Sequence, residues 1–329
     1  MNDDIELPGR PQGSRPTPMT TRSRVVLEIA AELVAIRSQK YNQAKVSLRV
    51  QGGPDWPLTL FGSSTIEGVF EVVSGRAALA IVNPASALAA AALGLRPFVM
   101  PQPVRTIAVI PSMDQYVLAV RPETGLETFE EIAVKKPPLR VALRGQLDHW
   151  LHYMLEDVAN AAGFSVADIV AWGGEARREG QLPYPHQRKF QAFLRGEIDA
   201  VFDEAAEVWL DDALAAGMKI LPLAESTVRK LETKGYRRAF LRKSEYPGLP
   251  RDILTLDFSG WPIFVREDAP DELVTQICAA LVARKHLIPW QGEGDLPIER
   301  MCLDAPDTPQ LAPLHRAAER YWRDRGFLK

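Results

Sequence analysis

The chain has 329 residues, of which 46% are hydrophobic and 25% are charged, a composition typical of a globular protein with enough apolar side chains for two domains. Its formal net charge is -3 and its Lys and Arg residues are dispersed, which argues against binding to nucleic acid or to an anionic membrane surface. Only two cysteines occur, so a disulfide framework and a paired-cysteine metal site are both excluded.

The N-terminus gives the first expectation about organisation and location. Residues 1–20 are rich in Pro and Gly and lack an uninterrupted apolar run, which predicts a flexible arm and no signal peptide. The sequence as it stands therefore predicts a cytoplasmic protein, or a periplasmic one if a leader has been removed. From residue 22 to about 40, an apolar segment carries Glu28 and Glu32 four residues apart, which indicates an amphipathic helix instead of a membrane span.

Strand and helix patterns alternate along the rest of the chain. Alternating or continuous short apolar runs indicate strands, and apolar residues at helical spacing that end at glycine indicate helices. The predicted strands cover about residues 45–51, 78–82, 106–110, 116–121, 139–143, 169–172, 198–202 and 219–223, and extended segments follow within 252–268. The predicted helices cover about residues 63–74, 85–93, 128–133, 148–162, 186–195, 204–216, 271–285 and 310–325.

This alternation predicts an α/β fold of two lobes, each a mostly parallel sheet flanked by helices. The chain is expected to cross between the lobes at about 110–116 and again within 223–258. Lobe 1 then consists of residues 21–112 plus 225–329, and lobe 2 of residues 113–224.

Four stretches, taken in their order, resemble a known family. They are RPETGLETFEEIAVKKPPLRVALRG, FLRGEIDAVFDEA, SEYPGLPRDILTLDFSGWPIFVREDAPDELV and PLHRAAERYWRDRGFL. Together they are similar to the type II periplasmic binding proteins, and within that superfamily to the TRAP-associated extracytoplasmic solute receptors, the TAXI group. The resemblance covers roughly residues 22–329. It implies a two-lobed receptor that closes on a small organic ligand and delivers it to a TRAP-type membrane transporter.

The sequence departs from this family in two places. The family normally opens with a strand and a Gly-rich loop that lines the ligand cleft, whereas GRPQGSRPTP stands at that position here. The family also carries an export signal. Two alternatives therefore stay open, because one fold hosts unrelated functions: a cytoplasmic enzyme on the same fold, similar to decarboxylases, and a cytoplasmic ligand sensor or partner-binding protein.

The stretch VALRGQLDHWLH contains the first candidate binding site. The strand LRVAL ends at Arg144, Gly145 and Gln146, and open α/β sheets bind ligands at the carboxyl ends of their strands. A helix N-terminus there attracts a carboxylate, Gly145 lets the backbone come close, and the guanidinium of Arg144 adds a clamp. The alternative is that Arg144 is a solvated strand-end residue and Gly145 a turn.

His149 and His152 follow on the next helix. A metal site needs further ligands that this spacing does not supply, so neither a metal nor another cofactor is expected, and Asp148 is expected to cap the helix. His149 is expected near the cleft. In the enzyme alternative it would form an acid–base pair with Asp203 or Glu204.

The other ligand-binding candidates follow from the same strand-end rule or lie at the crossing between the lobes. Asn83 and Ser86 either offer polar contacts to a ligand or cap a helix, and Gly53, Ser63 and Ser64 either cradle an anion with backbone N–H groups or form a turn and a cap. Asp203 and Glu204 either accept the amino group of an amino-acid-like ligand or cap a helix, and Trp261 either lines the cleft or fills the core. The expected partner is a small organic acid or an amino-acid-like molecule, and no residue is assigned a catalytic role. The candidates are Asn83, Ser86, Gly53, Ser63, Ser64, Asp203, Glu204, Gln115, His149 and Trp261.

Overall fold

The computed structural model describes residues 22–36, 43–49, 57–63, 65–180 and 182–329. The chain divides into two compact units, Met1–Asn42 and Gln43–Lys329. In the first unit the described element is helix α1, Arg22–Ile36, and the rest of the predicted segment, 37–40, lies outside the described residues. The predicted arm at 1–20 lies outside the described residues. Within the described ranges, no helix is both long and apolar enough to cross a membrane.

The second unit contains two five-stranded sheets and a separate hairpin, with helices packed on the sheets, which confirms the predicted α/β class. The strands are β1 (Gln43–Leu48), β2 (Leu58–Ser63), β3 (Leu79–Ile81), β4 (Val104–Ile110), β5 (Val117–Val120), β6 (Arg140–Leu143), β7 (Glu175–Arg178), β8 (Ala200–Asp203), β9 (Lys219–Ile220), β10 (Arg238–Leu241), β11 (Ile253–Leu256) and β12 (Trp261–Arg266). The helices are α2 (Glu67–Val73), α3 (Ala85–Leu93), α4 (Glu131–Lys135), α5 (Trp150–Ala162), α6 (Val166–Ala171), α7 (Arg188–Leu194), α8 (Leu210–Ala215), α9 (Glu225–Glu232), α10 (Asp271–Arg284) and α11 (Arg316–Asp324).

The two sheets share one arrangement. Sheet 1 has the order β1-β2-β3-β12-β4 and sheet 2 the order β7-β6-β8-β5-β9. In each, the fourth strand runs antiparallel to both neighbours. The chain reaches β5 from sheet 1 and reaches β12 from the β10–β11 hairpin. We call residues 111–116 and 257–260 the crossing segments. They are hydrogen-bonded to each other, since the backbone N–H of Phe258 donates to the carbonyl of Asp114 at 2.9 Å.

Apolar side chains from both sheets form the core. One cluster lies between sheet 1 and helices α10 and α11, and another lies between sheet 2, helices α7 and α8 and the β10–β11 hairpin. The largest cluster includes residues of both lobes, such as Leu88 of α3 and Trp150 of α5. The two lobes are therefore packed together by a shared apolar core.

The structure differs from the predicted elements in several places. The run IVAW (169–172), predicted as a strand, lies at the end of helix α6. A short apolar run fits either element, and here Ser165 and Asp168 form a capping box that starts a helix. Strand β2 was not predicted, and it removes the first turn of the predicted helix at 63–74, because Ser63 pairs with Gln43 in the sheet. Strand β10 and helix α9 were also not predicted. The last helix begins at Arg316 instead of about residue 310.

Candidate functional site

The carboxyl ends of strands from both sheets meet in the second unit. Thr65, just after β2, forms a β-bridge with His149, just before α5. Ser86, in the first turn of α3, accepts a hydrogen bond from Nε1 of Trp150 at 3.1 Å. In open α/β sheets this is the edge at which ligands bind. The candidate site is therefore at the contact between the two lobes.

A buried ionic network lies at the end of β6 and β8. Arg144, which is 7% exposed, donates to Oδ1 of Asp203 through Nε at 3.2 Å and Nη2 at 2.6 Å, and Nη2 also donates to Oε1 of Glu204. Nζ of Lys189 donates to Oδ2 of Asp203 at 2.9 Å. We call these four residues the Arg144 network. Two buried cations face two carboxylates, an arrangement that is stable only because every charge has a partner.

The electrostatics of the network extend to a fifth group, Asp114. Burial raises the pKa of Asp203, but the adjacent Arg144 and Lys189 outweigh it and hold that pKa below its ordinary value. Burial and the neighbouring Glu204 raise the pKa of Asp114 well above its ordinary value. The carboxyls of Asp114 and Glu204 share a hydrogen bond, so a proton held by Asp114 removes the repulsion between them.

Three of the predicted site residues, Arg144, Asp203 and Glu204, are thus in direct contact. The guanidinium of Arg144 does not bind solvent as the alternative proposed, because two carboxylates of the same chain hold it. Asp203 and Glu204 do not cap the helical turn that follows, since the N–H groups of Ala205 and Ala206 donate to Oδ1 of Asp114 instead, at 2.7 and 3.3 Å.

Gly145 and Gln146 make backbone contacts with their own chain. The N–H of Gly145 donates to the carbonyl of Gly180 at 2.9 Å, and a Cβ at position 145 would come within 2.9 Å of that residue's backbone. Glycine is therefore required here by the close approach of the 179–180 segment. The carbonyl of Gln146 accepts from the N–H of His149 at 3.2 Å.

His149 caps helix α5, so the prediction that Asp148 is the cap was wrong. Nδ1 of His149 accepts the N–H of Leu151 at 3.3 Å, and its ring stacks on Phe258 with centroids 6.0 Å apart. Burial lowers the pKa of His149 to about 4, which keeps the ring neutral and able to accept that bond. His152 contacts the carbonyl of Gln146 instead, and in the described ranges no group of three or more His, Cys, Asp or Glu side chains is placed to hold a metal ion.

The remaining candidates contribute neutral polar groups or lie elsewhere. Oγ of Ser63 pairs with the Thr65 hydroxyl at 3.1 Å. Oδ1 of Asn83 is buried and accepts no hydrogen bond from the described residues. Gln115 lies on the first crossing segment, and Trp261 packs against the core cluster under α10 and α11, so its core interpretation applies. Gly53 and Ser64, together with Gly52, lie outside the described residues.

Sequence reasoning missed three residues of the site. Lys189 is 2% exposed, and its signal was a charged residue on the apolar face of a helix that also carries Phe190 and Phe193. Asp114 is the one charged residue in the sequence between the apolar runs of β4 and β5. The Tyr116 hydroxyl is buried without a hydrogen-bond partner among the described residues, and nothing in the local pattern distinguished it from a core tyrosine.

Comparisons with known proteins find only remote structural similarity. No family model and no curated protein matches the sequence. A TctC solute binding protein from Polaromonas, solved without ligand, is 18% identical with a TM-score of 0.37 over 66% of this chain and 67% of that chain. A periplasmic transporter is 13% identical with a TM-score of 0.35, over 75% of this chain and 72% of that chain. The substrate binding protein of an amino acid ABC transporter is 12% identical with a TM-score of 0.29, over 78% of this chain and 81% of that chain. Similarities this low assign neither a ligand nor a function to the chain.

Proposed function

We propose that this protein is a two-lobed solute receptor that binds a small carboxylated organic molecule between the carboxyl ends of its two sheets. The observation that carries the proposal is the Arg144 network: a buried guanidinium at the end of β6, held by carboxylates at the end of β8, beside the contact between the lobes. A ligand that touches both lobes stabilises their closed arrangement through contacts that an open arrangement lacks.

Glu204 occupies the position that a ligand carboxylate would take on Arg144. Asp203 is held more firmly, because it accepts from Arg144, from Lys189 and from the N–H of Glu204. The side chain of Glu204 has one cationic partner, and it already shares a hydrogen bond with Asp114. An incoming carboxylate therefore displaces Glu204 from Arg144, and Asp114 remains as its partner.

The test removes the charge of Glu204, the side chain that competes with a ligand carboxylate for Arg144. Glu204→Gln keeps the shape of the side chain and removes its charge, so carboxylate ligands should bind at least about tenfold more tightly than to the wild type. Arg144→Gln should abolish their binding. Isothermal titration against a panel of mono-, di- and tricarboxylates and amino acids measures both effects. Arg140→Gln, which removes the more exposed arginine of the same strand, is the matched control and should leave the affinities unchanged.

Two results would contradict this proposal. One is a carboxylate that binds the Arg144→Gln variant as tightly as the wild type. The other is a wild type and a Glu204→Gln variant that bind no acid of the panel and carry no co-purified acid in native mass spectrometry. The second result would instead favour the partner-binding alternative, because no small molecule would then stabilise the fold.

The finer part of the proposal is that the receptor belongs to the TAXI group and works with a TRAP-type transporter. It is supported by the order of the four motifs in the sequence. The enzyme alternative depends on His149 as a base, and the use of its Nδ1 as a helix cap does not favour it. Incubation of the pure protein with any acid that binds, followed by product analysis, separates receptor from enzyme.

A further inference from the structure

The crossing segments present two different faces. In extended chain, successive side chains point to opposite sides. Asp114 contacts Glu204, and Phe258 stacks on His149, so these side chains face the Arg144 network. Gln115 and Asp257, which form a β-bridge with each other, are their direct neighbours in sequence and lie on the opposite face.

On that opposite face the structure contains a cavity of about 330 Å³. This volume lies in the range of small-molecule sites. We call it the hinge pocket. Both crossing segments and the β10 strand contribute to its wall, and the residues that matter here are Met113, Gln115, Arg237, Phe240, Arg242 and Asp257.

One side of the hinge pocket carries buried acceptor groups. Gln115 is 6% exposed, and its side-chain amide makes no hydrogen bond to the described residues. Asp257 is 7% exposed, and the hydrogen bond that it accepts from the backbone comes from the N–H of Ser259 at 3.1 Å. Burial raises the pKa of Asp257 to about 6, since the hydrogen bonds from Ser259 and the positive charge of Arg237 offset only part of the desolvation of its carboxylate.

The other side carries guanidinium donors. Nη1 of Arg237 donates to Oδ1 of Asp304 at 3.0 Å, and Nη1 of Arg242 donates to Oδ2 of Asp252 at 2.7 Å. The Nε and Nη2 atoms of both arginines make no hydrogen bond to the described residues. The guanidinium of Arg242 lies over the Phe240 ring at 4.5 Å, which fixes its plane. Two planar donors with unused N–H groups are suited to a carboxylate.

We propose that the hinge pocket is a second binding site, for a small zwitterion of the amino-acid class. The ammonium group of the ligand binds Asp257 and the amide oxygen of Gln115. Its carboxylate binds Arg237 and Arg242. An apolar ligand side chain packs against Met113 and Phe240. Because the pocket wall includes both crossing segments, a bound ligand contacts the chain that connects the two lobes. This proposal does not depend on the function proposed for the Arg144 network.

The experiment uses three probes that share the same isobutyl side chain: L-leucine, isoamylamine without the carboxylate, and 4-methylpentanoate without the amine. Isothermal titration of the full chain should show L-leucine binding at least about tenfold more tightly than either analogue, because each analogue leaves one charged group of the pocket without its partner. Asp257→Asn and Arg237→Gln should each weaken L-leucine binding by at least about tenfold. Arg266→Gln, an exposed arginine paired with Asp268 on sheet 1, is the control and should bind as the wild type does.

The proposal is overturned if the wild type gives no saturable binding of L-leucine up to about 10 mM. Equal affinities for the three probes would overturn it as well. If binding is lost in Arg144→Gln but kept in Asp257→Asn, L-leucine belongs to the Arg144 network and the hinge pocket is not its site. Should Asp257→Asn fail to fold, the wild-type comparison of the three probes and the Arg237→Gln variant decide.

Discussion

Two arginine–aspartate pairs join the same two strands, β6 and β8, and they differ mainly in solvent exposure. At the amino end, Nη2 of Arg140 and Oδ1 of Asp199 are 2.6 Å apart, and these side chains are 40% and 20% exposed. At the carboxyl end, Nη2 of Arg144 and Oδ1 of Asp203 are also 2.6 Å apart, but these side chains are only 8% and 0% exposed. The arginines are four positions apart in the sequence, and so are the aspartates, so both pairs lie on the same face of the strands.

The two pairs have the same contact distance and differ in exposure, so burial is the property that distinguishes the pair at the carboxyl end. The outer pair keeps much of its hydration and gains little net energy from the contact. The inner pair has lost its water, so it requires the additional charges of Lys189 and Glu204. Such an environment makes the affinity for an incoming charge strongly dependent on each partner, which is what a selective binding site needs.

The largest expected effect is on stability and tests this comparison directly. Asp203→Asn removes the carboxylate shared by Arg144 and Lys189, and leaves buried positive charge without compensation. We expect the free energy of unfolding to fall by about 3–5 kcal/mol, measured by urea denaturation. The matched variant Asp199→Asn should lower it by about 1 kcal/mol or less. Equal losses in the two variants would show that burial does not distinguish the pairs.

A second prediction concerns pH and His149, which lies beside the buried pair. Its pKa is lowered by burial to about 4, so between pH 6.5 and 4 the unfolded chain binds a proton that the folded chain does not. This residue should therefore contribute about 3 kcal/mol to stability above pH 6.5, and the contribution is lost as the pH falls to 4. His149→Asn keeps a good helix cap and should remove that dependence. Urea denaturation across this pH range checks it, and an unchanged slope in the variant would contradict the assignment.

A third prediction concerns Asp257, on the opposite face of the crossing segments, which should make stability depend on pH with the opposite sign to His149. Burial raises the pKa of Asp257 to about 6, so between pH 4 and 6 the folded chain holds a proton that the unfolded chain has released. Stability from this group is therefore present near pH 4 and is lost as the pH rises through 6, by about 3 kcal/mol. Asp257→Asn should be more stable than the wild type at pH 8 and similar to it at pH 4. The same denaturation series checks this, and a variant less stable at pH 8 would contradict it.

The smallest expected effect is at the contact between the lobes. Ser86→Ala leaves the indole N–H of Trp150 buried without its acceptor and should lower the free energy of unfolding by about 1–2 kcal/mol in urea denaturation. Ser74→Ala, at the end of helix α2, is a matched control with an expected change within about 0.5 kcal/mol. A loss in Ser86→Ala no larger than in this control would mean that the lobes do not depend on the hydrogen bond.

The sequence predicted the fold class and much of the site, for identifiable reasons. Helices that end at Gly94 and Gly163 were predicted correctly because both glycines adopt the left-handed conformation that terminates a helix. The strand-end rule selected Arg144 and Asp203, since each directly follows or ends a short apolar run.

The pairing of these residues was not predictable from local pattern. Which strands are neighbours is a non-local property, and the segment between β6 and β8 contains another strand and three helices. Without that adjacency, Arg144 looked available to a ligand, whereas Asp203 and Glu204 already bind it. The pairing also explains why Lys189 tolerates burial, because Asp203 lies beside it.

The antiparallel fourth strand of each sheet has a consequence for synthesis. All five strands of sheet 2 come from one continuous stretch, 117–220, so this sheet is complete as soon as that stretch has left the ribosome. In sheet 1, β3 and β4 are joined only through β12, at 261–266. Four of the five strands of sheet 1 are therefore translated before sheet 2, but sheet 1 can be completed only after β12 has been translated.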